Sequence, residues 1–357
     1  MKTYYKFILN TFLKSFIFVF FVMLSLVIIL NILSEIEFFR NTNVNFLFPL
    51  YLSLLNSPAL IFEMFPFIFL ISTQLFFINL FNDNQIQIFK YSGLKNSKIL
   101  TIISFFTFFL GILIIIIFYS FSSNLKNFYL ELKNNYTADD KYLAVVTKNG
   151  LWIKDNIEGK VSIINASKID KNYLIDTFIT QFDDEYRVLN NIQAEKIDIS
   201  DNNWLAYKVK LYNNNQSEKK ETFVLKSNFN YEKIQSLFSN LSSLSILKLL
   251  DLRKNYLSLN YSIIEVDLEL KRIISYPIYL SLMTILSAIL MFNIKRLSST
   301  TFKIAIGLFL SVVIYYLNNF FYVMGKTEKF DVNMAISAPL LLILILNLTM
   351  IFKVNEK

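Results

Sequence analysis

Six runs of apolar residues, each close to the length of a membrane span, dictate what this chain can fold into. They lie at residues 15–33, 58–81, 99–121, 273–292, 302–324 and 334–352. An α-helix rises about 1.5 Å per residue and the hydrocarbon core of a bilayer is about 30 Å thick, so each run can cross. Lipid offers no water to satisfy backbone N–H and C=O groups, so each run is predicted as a helix. Charged residues make up only 17% of the chain and hydrophobic residues 54%, and mean hydropathy is +0.45. These bounds place the chain among integral membrane proteins. The first run is longer than the apolar stretch of a secretory signal and no small-residue cleavage site follows it, so it reads as a span.

Orientation follows from the basic residues. If both termini are cytoplasmic, the inner segments hold Lys2, Lys6 and Lys14, then Lys90, Lys95 and Lys98, then Lys295, Arg296 and Lys303, and finally Lys353 and Lys357. Only Asp83 and Glu356 oppose them, while the two short outer loops hold Arg40, Lys326 and Lys329. This positive-inside bias sets the direction of insertion. The net charge of +8 is therefore a matter of topology rather than of nucleic-acid binding, because the cations are scattered around the spans.

Between the third and fourth spans, residues 122–269 change character. Period-two alternation appears at 142–147, 150–154, 161–165, 173–182, 192–199 and 204–212. Turn clusters separate these predicted strands at 148–150, 183–185, 201–203 and 213–215. Many short strands with no intervening helices point to an antiparallel all-β domain of sandwich or jelly-roll type. Residues 226–269 then read as helical and lead back to the membrane. The expected organisation is 1–121 with three spans, 122–269 as an external β domain with a helical connector, and 270–357 with three more.

The chain has no cysteine and no histidine. Thiol chemistry, disulfides, histidine metal sites and Ser-His-Asp triads are thereby excluded. There is no G-x-x-x-x-G-K-[ST] loop, so any ATP chemistry must come from another chain. No cofactor, metal or catalytic residue is predicted. Asp183, Asp184 and Glu185 read as a solvated turn before they read as a cation site. Glu63 sits inside the second span, near its start. An acid there either snorkels to the interface or serves function.

The segment 83–97, DNQIQIFKYSGLKNS, joins the second and third spans. Its lysines place it on the cytoplasmic side. Ile86, Ile88 and Phe89 form an apolar ridge, and Ser92-Gly93 is a helix-stop signal. Two readings stand: a face that docks a partner, or a segment that merely lies on lipid headgroups or caps the bundle.

Four stretches resemble the lipopolysaccharide export permeases of the LptF/LptG family. They are NQIQIFKYSGLKNSKI at 84–99, NGLWIKD at 149–155, LSILKLLDLRKNY at 244–256 and LELKRIISYPIYLSL at 268–282. The second leans toward the LptG type. The resemblance implies a six-span permease with a periplasmic β-jelly roll, seated in the bacterial inner membrane. It implies a heterodimer with a second such permease, an LptB-like ATPase dimer on the cytoplasmic side and an LptC/LptA-like periplasmic bridge protein, and it names lipopolysaccharide as cargo. In that light Gln85, Ile86, Ile88, Phe89, Ser92 and Gly93 would couple the permease to the ATPase. The family usually carries Glu where this chain has Gln85, and Asp83 is the nearest acid to replace it.

A bis-phosphorylated, multiply acylated lipid needs an apolar wall and cations at the outer interface. The family's lateral opening lies between the first and fifth spans. A lysine frequent near the outer end of the first span is replaced here by Asn31, with Arg40 the nearest cation. Lys271 and Arg272 sit at outer depth beside Lys326 and Lys329. Asn318 and Asn319 are polar groups within the fifth span, either helix–helix glue or ligand contacts. The expected lipid-binding set is Asn31, Arg40, Lys271, Arg272, Asn318 and Asn319. Two other readings are an exporter of another envelope lipid or lipoprotein, and a membrane-anchored periplasmic binding or structural protein.

Overall fold

The computed structural model describes residues 3–40, 44–45, 47–134, 136, 151–157, 160–170, 172–183, 187–213, 216–231, 234, 241–258, 262–293 and 299–351. Its contacts divide the chain into two compact units, Met1–Lys126 with Ile264–Lys357, and Asn127–Ile263. Six helices among the described residues are long and apolar enough to cross a membrane, and all six are in or begin in the first unit.

Helix α1 spans Thr3–Phe38 and α2 spans Leu47–Asn82. The buried residues of α1 (Ile8, Phe12, Ser15, Val19, Val27, Asn31 and Glu35) form one stripe at helical spacing. That stripe packs on α2, while Phe18 and Leu30 on its other side are exposed. The apolar stretch before Pro58 is the first part of α2. Pro58 and Pro66 both lie inside this helix. Ser53 Oγ donates to the Ile28 carbonyl at 3.2 Å, and Leu52, Leu55 and Asn56 are buried. Packing on α1 therefore carries the helix through a proline at which a lone helix would have stopped.

The short α3 covers Gln85–Tyr91, and α4 covers Asn96–Leu113. A π-helical stretch, Ile114–Tyr119, carries α4 without a break into α5, Ser120–Asn134. Gly111 lets α4 approach the later helices: a Cβ there would lie 3.0 Å from Pro277 Cα.

The second unit holds one six-stranded antiparallel sheet in sequential order. Its strands are β1 (Leu151–Ile157), β2 (Lys160–Asp170), β3 (Tyr173–Phe182), β4 (Val188–Asp198), β5 (Asn203–Asn213) and β6 (Gln216–Lys226). One face builds the core from Ile153, Ile164, Ile179, Ile192, Ile197 and Trp204. Trp204 donates its indole N–H to the Phe229 carbonyl at 2.8 Å. Buried Asp155 ties β1 to the segment after β6. It accepts from Ser227 Oγ at 2.8 Å, Asn228 N at 3.1 Å and Asn228 Nδ2 at 2.9 Å. Strand β6 was not expected, because Glu218, Lys219, Lys220 and Glu221 hide its alternation. It is an edge strand, and charge suits an edge. The strand expected at 142–147 lies outside the described residues, as do Asn149, Gly150, Asp184 and Glu185. Asp183 Oδ1 accepts from Arg187 N at 2.8 Å.

After the sheet come α6 (Ile246–Ser258), α7 (Ile264–Asn293), α8 (Thr300–Lys326) and α9 (Val332–Ile351). Ser299 caps α8 by accepting from Phe302 N at 3.3 Å. Helices α2 and α7 form the centre of the bundle, joined where Ser287 Oγ donates to the Leu70 carbonyl at 2.7 Å. Asn347 on α9 donates to the Leu282 carbonyl of α7 at 3.1 Å. Such side-chain bonds at membrane depth act where no hydrophobic force separates helix from lipid.

Candidate functional site

A cavity of about 330 Å³ opens among α2, α7, α8 and α9. Phe62, Glu63 and Pro66 line it from α2, and Arg272, Tyr276 and Tyr279 from α7. Helix α8 adds Tyr315, Asn318, Asn319 and Tyr322, and α9 closes it with Ala335, Ile336, Pro339 and Leu340. One side is thus apolar and the other carries amides, phenols and an ion pair.

The polar side is held in place. Arg272 Nη2 donates to Glu269 Oε1 at 2.7 Å, and the Glu269 side chain is 3% exposed. Tyr322 OH donates to the other oxygen, Oε2, at 3.4 Å, and its ring centroid lies 5.5 Å from the Arg272 guanidinium carbon. The Glu269 charge is therefore paired, as a buried charge must be. Tyr276 OH donates to the Phe62 carbonyl, and the two rings stack with centroids 4.7 Å apart. Asn318 Nδ2 donates to the Ile314 carbonyl at 3.0 Å. Glu63 and Asn319 are exposed toward the opening.

Of the six residues expected to meet lipid, Arg272, Asn318 and Asn319 come together here. Lys271 turns to α9, donating to Asn333 Oδ1 at 2.6 Å. Arg40 is exposed at the end of α1. Asn31 is buried between α1 and α2: it donates to the Ser53 carbonyl at 3.1 Å and accepts from Asn56 Nδ2 at 3.3 Å. That position makes Asn31 a bond between helices. Lys326 pairs with Glu265 at 3.3 Å. Tyr276 and Tyr322 also line the cavity, and Glu269 holds Arg272 from behind; none of the three was among the expected residues, while Glu63, read as either snorkelling or functional, lines it too. The i,i+3 spacing of Glu269 and Arg272 was the available signal, since such pairs meet on one helix face.

Helix α3 is the second candidate. It ends in a full C-terminal cap: Gly93 has φ 77°, Gly93 N donates to the Lys90 carbonyl at 3.0 Å and Leu94 N to the Phe89 carbonyl at 2.8 Å. Ser92 Oγ also donates to the Ile88 carbonyl at 2.9 Å. The apolar ridge divides. Ile86 and Phe89 are buried within the chain, with the Phe89 ring edge-on to Phe7 of α1 at 5.9 Å. Ile88 is 52% exposed and Tyr91 90%. Asp83 is exposed and Gln85 half-buried. The outward apolar face is thus Ile88 with Tyr91, where Ile86 and Phe89 had been expected to share it, because α1 covers the other side.

The fold is that of a multi-pass membrane protein with an inserted β domain. The chain belongs to the family of the lipopolysaccharide export system permease LptF/LptG, whose model matches residues 6–353. It is a permease of the lipopolysaccharide export system, a multi-pass protein of the inner membrane. A comparison with curated proteins finds no match.

Proposed function

We propose that this chain is one of two permeases in an ABC-type exporter that draws lipopolysaccharide from the inner membrane and hands it to a periplasmic bridge. The cavity carries this reading. Its apolar wall suits acyl chains, and its rim of Arg272, Asn318, Asn319 and tyrosine hydroxyls suits a phosphorylated sugar. Arg272 comes to the rim already engaged by Glu269, so a phosphate would share that guanidinium rather than own it. Arg40, exposed at the end of α1, is the second cation the reading supplies.

Energy would come from a cytoplasmic ATPase dimer pressing on α3, with Ile88 and Tyr91 as the packing face and Gln85 and Asp83 as the polar contacts. Ser92 and Gly93 would fix the angle of that helix. The basic bias of the inner segments supports cytoplasmic termini and a periplasmic β domain, whose cargo would pass to an LptC/LptA-like bridge. NGLWIKD supports the LptG type, with the other permease completing a heterodimer. The organisation that goes with this is 1–121, 122–269 and 270–357, with the middle segment reaching the bridge.

The test is photocrosslinking in cells from probes at Asn318, Asn319 and Arg40, with Phe309 on the outer face of α8 as the reference. Lipopolysaccharide adducts at Asn318 and Asn319 should exceed those at Phe309 and should depend on ATP hydrolysis. Adducts no stronger than at Phe309 would turn the reading toward another exported lipid or lipoprotein.

A further inference from the structure

Helices α2 and α8 line the cavity near one end, and they interlock toward the other. Gln74 of α2 is fully buried and lies in the notch left by Gly307 of α8. A Cβ on Gly307 would fall 2.1 Å from Gln74 Nε2, so only glycine leaves the amide where it is. Gln74 Nε2 donates to the Lys303 carbonyl at 2.8 Å. Lys303 is itself 8% exposed, and its Nζ lies 5.7 Å from the centroid of Phe81, again on α2. The first turns of α8 are therefore fastened to the last turns of α2. Gly307 and Tyr315 are about 12 Å apart along the helix, and from Tyr315 onward α8 lines the cavity that α2 lines at Phe62, Glu63 and Pro66.

The fastening is incomplete in one informative way. Gln74 Oε1 is buried and accepts no hydrogen bond among the described residues. An apolar side chain would have filled the same space without that cost. An amide tied by one arm alone holds position while leaving rotation about the bond. Gln74 lies outside the cavity lining, so it would act through α8 rather than on cargo.

We propose that Gln74 and Gly307 form a pivot about which α8 tilts against α2, opening and narrowing the cavity while the end near α3 stays closed. Helix α2 continues from Gln74 through Asn82, and Asp83 N donates to the Asn79 carbonyl at 3.0 Å, so a load on α3 meets the pivot within about 12 Å of helix. Tilting about a packed contact is an established form of helix motion. Gln74 is a positioning residue whose substitution changes where α8 can move.

The chain has no cysteine, so introduced cysteine pairs can be spin-labelled without background. The full chain in lipid nanodiscs would carry labels at Asn79 and Ala305, near the pivot, or at Leu54 and Phe320, toward the cavity end; all four positions are exposed. Pulsed EPR should give a narrow distance distribution for the first pair and a broader one for the second. Gln74→Met keeps the volume and removes the bond, and Gly307→Ala displaces the amide. Each should broaden the near pair about twofold and change the cavity pair little. A near pair that stays narrow in both variants overturns the pivot. Equal broadening of both pairs marks a merely structural residue and overturns it too. Should neither variant fold, the unsubstituted chain decides: a cavity pair no broader than the near pair overturns the proposal. No glycolipid or nucleotide enters the measurement, so its outcome is independent of the export reading.

Discussion

Arg272 donates to Glu269 one helical turn earlier at 2.7 Å, with the carboxylate side chain almost wholly buried. Each charge makes the other tolerable at membrane depth. Arg272→Met should strand Glu269 and destabilise the chain by about 3–5 kcal/mol. Pairing it with Glu269→Leu should recover most of that loss, because removing both partners leaves no unpaired charge. Thermal unfolding in detergent, read for the two single variants and the double variant, checks the cycle. A fully additive result would show that the pair is not coupled.

On α3, the two apolar pairs should behave differently. Phe89→Asp buries a charge against Phe7 and should lower extractable, folded protein. Ile88→Asp places the charge in water and should leave folding intact while lowering co-purification of the ATPase and glycolipid release together. Unchanged co-purification in Ile88→Asp with Tyr91→Ala would remove α3 from the coupling role.

Gly93 adopts φ 77° and a Cβ there would meet nothing within 4 Å. Gly93→Ala therefore tests backbone conformation alone, and should cost about 1–2 kcal/mol. Gly93→Asn should cost less, because asparagine tolerates the left-handed region. Hydrogen exchange of the α3 amides should rise from the parent chain to Gly93→Asn and further to Gly93→Ala.

In the β unit, Asp155 accepts three hydrogen bonds from Ser227 and Asn228. Asp155→Ala leaves those donors without an acceptor in a buried place. Bonds to a charged group contribute about 1.5–3 kcal/mol each, with overlap between them. The expected result is protease sensitivity around β1 and β6 while the membrane helices stay folded. Equal sensitivity to the parent chain would show that the strand ends hold without this tie.

The spans were legible because lipid leaves a chain few options: a long apolar run must become a helix. Their extents were less so. The first apolar run starts at residue 15, after three lysines, yet α1 begins at Thr3 and uses Ile8, Phe7 and Phe12 for packing. Strand β3 was legible to the residue because Thr177 and Ile179 alternate inward, with Leu174 also buried across the irregularity at Asp176, where φ is 47°, whereas the charged edge β6 was not. The polar wall of the cavity joins α2 to α7 and α8, some two hundred positions later in the chain, so Glu63 gave no local sign of sharing it with Arg272 and Tyr322. The facing of α3 escaped sequence reading for the same reason: nothing local says that Phe7, some eighty positions earlier, covers Phe89.

The π-helical stretch at Ile114–Tyr119 lies between two packing surfaces of one continuous helix. Gly111 before it meets Pro277 of α7, and Tyr119 at its end meets Phe62 of α2 with ring centroids 4.9 Å apart. A wider turn accommodates an extra residue without breaking the helix. Deleting one residue within 114–119 would remove that surplus and restore ordinary winding with the flanking segments still in register, whereas inserting one more would turn everything beyond by about 100°. Tyr119, Ser122 and Ser123 would then swing out of the bundle as a group. Point substitutions across these isoleucines should thus be mild, and so should the loss of one of them, while an added residue should not. Along this stretch the chain is constrained by length more than by the identity of its side chains.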